Sequence, residues 1–136
     1  MRSCGTDGAA ARVATAPQKF ILRTAIPSLN AYVATERTNK FAAAALKKLT
    51  EKSLMGEMLA QQARPVSDYP ATISYRLCAV NRRTDKSNIE ATVKKFVEDA
   101  LQGVGVLRGD GWNDLDYGVV SFEVDKDDPR VEVTIA

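Results

Sequence analysis

Histidine is absent from the chain, and cysteine occurs only at Cys4 and Cys78. No apolar run approaches the roughly 20 residues that a bilayer span requires, so no membrane association is expected. Without histidine the usual acid–base residue is missing, and any catalysis falls to carboxylates, lysine, hydroxyls or a metal. The two cysteines lie in unlike contexts without ligand-like spacing, which argues against a zinc site. Cys78 reads as a buried small hydrophobe, and this cysteine usage suits a reducing, cytoplasmic compartment.

What remains is an ordinary globular composition. The 136 residues are 45% hydrophobic and 26% charged, enough for one domain with a real core. The net charge of +2 conceals an asymmetry. Residues 1–64 carry ten Lys or Arg against four Asp or Glu, and residues 65–136 carry nine against thirteen. Such a split suits a protein that holds a polyanion on one surface and a cation on another, although solvated surfaces also divide this way by chance.

Residues 1–17 are rich in Ala, Gly, Thr and Ser without periodicity, and are set apart as a disordered N-terminal tail. A targeting peptide is the other reading of that stretch. The domain spans residues 18–136. Residues 19–25 (KFILRTA) read as a first strand, broken by the turn formers of residues 26–32. Residues 41–63 are helical but carry two apolar stripes. Phe41, Ala45, Leu46 and Leu49 lie on one side, and Leu54, Met55, Met58 and Leu59 on another. A kink near residues 50–53, with Ser53 capping the second piece, would reconcile them. Residues 71–80 (ATISYRLCAV) are a strand, and the strand–helix–strand path favours a parallel pairing with the first.

The clearest helix spans residues 87–104. Ile89, Val93, Phe96, Val97, Ala100, Leu101 and Val104 form one stripe, with Lys95, Glu98, Asp99 and Gln102 opposite. Ser87 and Glu90 have the spacing of a capping box, and Gly103 and Gly105 supply the stop. Residues 117–124 and 130–135 alternate as strands and read as an antiparallel hairpin. The expectation is a single α/β (α+β) domain with a mixed four-stranded sheet, β-α-β-α-β-β, and helices packed on the sheet.

Around the long helix stand Asp85, Glu90, Asp110, Asp114 and Asp116. Magnesium is commonly held by one or two carboxylates, water and substrate phosphate. A metal so held activates water and stabilises charge on a phosphoryl oxygen. Asp85 also precedes a helix N-terminus, whose partial positive charge favours an anion. Aspartates in turns are just as readily caps or solvated groups.

Five segments in order resemble the RusA-type Holliday-junction resolvases, especially the phage-encoded branch. They are IPSLNAY at residues 26–32, RRTDKSNI at 82–89, KFVEDAL at 95–101, GVLRGDGW at 105–112 and PRVEVTI at 129–135. The resemblance implies a homodimeric endonuclease, dependent on magnesium or manganese, that nicks four-way DNA junctions in recombination and repair. It makes Asp85 and Asp110 the metal ligands and Lys95 the catalytic lysine, although counting from Asp85 puts the lysine's place at Ala91. Ser87 stands where the family carries a second aspartate. Either Ser87 is mainly a cap, with Asn88, Glu90 or Asp114 as further candidates around the metal, or the protein binds branched DNA without cutting it. A third alternative is a phage protein that acts by binding a host protein. The candidate DNA-contacting residues are Arg82, Arg83, Lys86, Lys94, Asn30, Arg37, Lys40 and Lys47, with Lys48 and Lys52 on the same helix. For Arg82 and Arg83 the alternative is an exposed strand end, and for the lysines simple solvation. Trp112 and Tyr117 either stack on an unpaired base or pack against the helix.

Overall fold

The structure, a computed structural model, describes residues 17–136. The expected tail and Cys4 therefore lie outside the described residues, apart from Pro17. The order of elements is β1 (Gln18–Leu22), α1 (Leu29–Thr38), α2 (Lys40–Ala60), β2 (Ala71–Ala79), α3 (Lys86–Gly103), β3 (Leu115–Val124) and β4 (Arg130–Ile135). The result is a mixed α/β domain with one four-stranded sheet in the order β1-β4-β2-β3.

Alternation along the strands makes two layers. The row Phe20, Val133, Tyr75 and Val120 crosses the sheet facing the helices, as does the row Leu22, Val131, Leu77 and Phe122. These meet Tyr32, Ala43, Leu54, Met58, Val93, Phe96, Val97 and Leu101 in one core. The opposite face is charged. There Arg76 bridges Glu123 at 2.7 Å and Glu132 at 3.1 Å, and Lys19 reaches Glu132 at 2.9 Å.

Strand pairing departs from both sequence expectations. β4 inserts between β1 and β2 and runs antiparallel to each, so β1 and β2 do not pair. β3 pairs parallel with β2, not with β4, so the expected hairpin is absent. The physical reason is burial: β4 offers Val131, Val133 and Ile135 to the core and takes a central position, leaving β3 at the edge. The parallel crossover runs through α3, joining β2 to β3.

Three local readings also change. The stretch expected as a turn contains a helix start, because Ser28 caps α1 by accepting from the Ala31 amide at 3.3 Å. Asn39 then ends α1 and caps α2, accepting from Phe41 and Ala42 amides. α2 is one unbroken helix, and Ser53 does not cap a second piece. Its buried stripe is Ala43, Thr50, Leu54 and Met58, while Phe41, Leu49 and Leu59 stay exposed. The hydroxyl of Thr50, at the place of the expected kink, donates back to the Leu46 carbonyl and is satisfied within the helix.

Candidate functional site

The parallel pair β2 and β3 ends where α3 begins. Because the chain leaves β2 at Ala79 and enters α3 at Lys86, residues 80–85 are held above the carboxyl ends of both strands. This is the position at which open α/β sheets present ligand crevices. A cleft of about 460 Å³ opens there, lined by Asn81, Arg82, Asp85 and Lys86 above and by Phe122 and Val124 below. Asp85 occupies the N-cap position of α3 with an extended backbone, and its side chain makes no capping hydrogen bond. The carboxylate is thus left for the cleft. Ser87 is exposed inside the first turn, so the capping-box reading is overturned: the helix starts earlier than Ser87. Glu90 pairs forward with Lys94 at 2.6 Å.

The cations of the region differ in their commitments. Arg82 and Arg83 are exposed, and the Arg83 amide donates to Asn81 Oδ1 at 2.9 Å, fixing the turn. Lys86 lies over the Phe122 ring at 5.4 Å. Lys94 lies over the Tyr117 ring at 4.4 Å, facing the same α3–β3 groove. Lys95, the expected catalytic lysine, is exposed, one residue and about 100° around the helix from Lys94. Lys47 is held by Asp99 at 2.9 Å and Glu51 at 2.7 Å, which ties α2 to α3. Asn30, Arg37 and Lys40 are exposed on α1 and at the start of α2.

Asp110 does not line that cleft, and its charge raises the Glu98 carboxyl and the Tyr117 hydroxyl. Between Asp85 and Glu98 the helix rises about 20 Å. Asp114 is engaged in its own turn, taking Arg108 Nε at 2.6 Å and the Gly111 amide at 3.2 Å. Asn88 is half-buried in the first turn of α3. Among the described residues no three Asp, Glu or Cys side chains converge as ligands of one cation. The donor set at Asp85 suits an ion held by one carboxylate, water and substrate phosphate.

Glu98 was expected on the polar face of its helix and is instead 5% exposed. The Tyr75 hydroxyl donates to its Oε2 at 2.7 Å and the Tyr117 hydroxyl to its Oε1 at 2.8 Å. Burial pushes the Glu98 carboxyl above its ordinary range, the two hydroxyls pull it down, Asp110 raises it again and Lys94 lowers it. Burial likewise raises both tyrosines, with Glu98 adding to the effect. Part of the signal was present in the sequence: Tyr75 falls on an inward strand position, and a buried phenol needs a partner.

These features define a two-layer α/β domain with a cleft of mixed charge at the head of a parallel crossover, lined by Arg82 and Lys86 and by Asp85 and Glu123. No family model and no curated protein matches the chain. Among the described residues no helix is long and apolar enough to cross a membrane.

Proposed function

We propose that the protein is a DNA-binding phosphodiesterase acting on branched DNA, with the Asp85 cleft as its working site. The observation that carries this reading is that Asp85, Arg82 and Lys86 line one open cleft at the N-terminus of α3. Unsatisfied helix amides and two cations favour a phosphate there, and the carboxylate beside them favours a cation. Arg82, Arg83, Lys86 and Lys94 supply phosphate contacts, which position a nucleic acid without reading its sequence. Asp85 would hold a magnesium or manganese ion, whose chemistry there would be to stabilise charge on a phosphoryl oxygen and activate water. The acting unit in this reading is a homodimer, because symmetric nicking of a four-way junction needs two sites.

A second reading keeps the DNA contacts and drops the cleavage. It is favoured by the Ser87 hydroxyl where the resembled family carries a carboxylate and by the absence of Asp110 from the cleft's lining. One experiment separates them: incubate the purified protein with a synthetic four-way junction in magnesium, manganese or EDTA. Paired nicks that EDTA suppresses support the nuclease. Tight junction binding without nicks under either ion favours the binding protein. No binding, or binding indifferent to salt, removes both, since phosphate contacts weaken steeply as salt rises.

A further inference from the structure

At the far end of α3 from the cleft, the chain displays its single tryptophan. Trp112 is 96% exposed, which is unusual for the largest apolar side chain. The turn that carries it is braced. Arg108 donates its amide to the Tyr69 hydroxyl at 2.9 Å and lays its guanidinium over the Tyr69 ring at 4.0 Å. Its Nε reaches Asp114 Oδ1 at 2.6 Å, and Asp114 Oδ2 accepts the Gly111 amide at 3.2 Å. The Asp114 amide closes the turn on the Gly111 carbonyl at 3.0 Å. A Cβ at Gly109 would stand 2.8 Å from Asp114 Oδ2, so the bracing carboxylate uses the space that glycine leaves. The indole is therefore held out by a fixed turn.

Directly after this turn runs β3, the edge strand of the sheet, with Val119 exposed at 69%, while the half-exposed Tyr117 is engaged by Glu98 and Lys94. A free edge with apolar side chains is the template on which an extended segment adds a further strand. The surrounding charge selects among partners. Residues 108–116 hold one arginine against three aspartates, and that arginine is already paired with Asp114. Asp110 and Asp116 are exposed and flank the indole in sequence. A phosphate chain would be repelled at residues 108–116, the Trp112 turn itself. A guanidinium or ammonium group gains both the indole face and a carboxylate. The neighbouring cation, Lys94, is itself paired with Glu90.

We propose that the Trp112 turn and the free edge of β3 form a docking surface for an extended, arginine- or lysine-bearing segment of a protein partner. The surface is separate from the Asp85 cleft and does not depend on the nuclease reading. The test uses Trp112 as its own reporter, titrating the full chain with a short peptide alternating arginine and valine. The controls are a glutamate–valine counterpart and a single-stranded oligothymidine. The expected result is saturable change of tryptophan emission with the arginine peptide alone. With labelled peptide followed by anisotropy, Trp112→Ala should weaken binding by at least about tenfold, and Trp112→Phe should retain most of it. Asp110→Asn with Asp116→Asn should weaken binding and flatten its salt dependence. An affinity unchanged by Trp112→Ala overturns the proposal. So does failure of the arginine peptide to bind, and so does quenching by oligothymidine instead, which would mark a base-stacking surface.

Discussion

Tyr75 on β2 donates its hydroxyl to Glu98 on α3 at 2.7 Å, across the interface between sheet and helix. Tyr117 on β3 holds the other carboxylate oxygen. The carboxyl is buried with two neutral donors and without a hydrogen-bonded cation, so its charged form is the costly one. Its folded-state value is raised above the ordinary 4.5. The folded protein therefore keeps this proton to higher pH than the unfolded chain does. The stabilising contribution is complete below 4.5 and is lost as pH rises through the raised value. Glu98→Gln should flatten that part of the stability–pH curve, measured by urea unfolding across the acid-to-neutral range. An unchanged slope would mean that Glu98 is solvated.

The outer face of the sheet should respond in the opposite sense. Lys19, Arg130 and Arg76 converge on Glu132, the Lys19 bond being the largest influence, and hold its carboxyl at about 2 against an ordinary 4.5. Its contribution is present above 4.5 and is lost as pH falls through about 2. Glu132→Gln should cost about 2 kcal/mol at neutral pH and much less in strong acid. Thermal melts of both proteins at the two pH values provide the check, and parallel losses at both would refute it.

The unbroken α2 makes a packing prediction. Leu54 is fully buried, whereas Phe41 and Leu49 are exposed at 85% and 68%. Leu54→Ala should cost about 3 kcal/mol, and Phe41→Ser or Leu49→Ser no more than about 0.5 kcal/mol. Comparable losses at Leu49 and Leu54 in denaturant unfolding would show that the second apolar stripe is buried after all.

This helix also shows where sequence reading stops. The α3 stripe was legible because one set of apolar residues shares one face, and all of its central members are buried. α2 carries two such sets, and periodicity cannot say which one the protein leaves in water. Strand identity was legible from alternation, but strand order was not, since β4 meets β1 and β2 only through contacts distant in sequence. In the candidate site, Arg82, Asp85 and Lys86 come together because they are neighbours in the chain. Asp110 and Asp85 are not neighbours in the chain, and their relation is set by α3 and the turns that follow it, which periodicity does not describe.

The groove lysines offer a direct comparison. Lys94 is anchored over Tyr117, whose hydroxyl is fixed by Glu98, while Lys95 is exposed beside it on the helix. If a phosphate chain follows the α3–β3 groove, Lys94→Ala should weaken junction binding and reduce the salt slope by about 1. Lys95→Ala should do less on both measures. Binding isotherms at several salt concentrations read the difference, and a larger effect at Lys95 would place the phosphates on the other side of α3.

The two aspartates give the sharpest division. Asp85 shares its cleft with Arg82 and Lys86, so Asp85→Asn should abolish cleavage while leaving junction binding intact or tighter, because a negative charge facing phosphate is removed. Asp110 lies by Glu98 and Tyr117. It does not line the Asp85 cleft, and if Asp85 alone holds the ion, Asp110→Asn should spare cleavage by a protein whose site is complete in each chain. Loss of cleavage in both variants, with binding kept, would instead require Asp110 to reach the cleft, from its own chain or from a second copy. Mixing the two inactive variants distinguishes these cases. A mixed dimer regains one complete site only if each site draws one aspartate from each chain, and regained nicking of a single junction strand is the signature to look for.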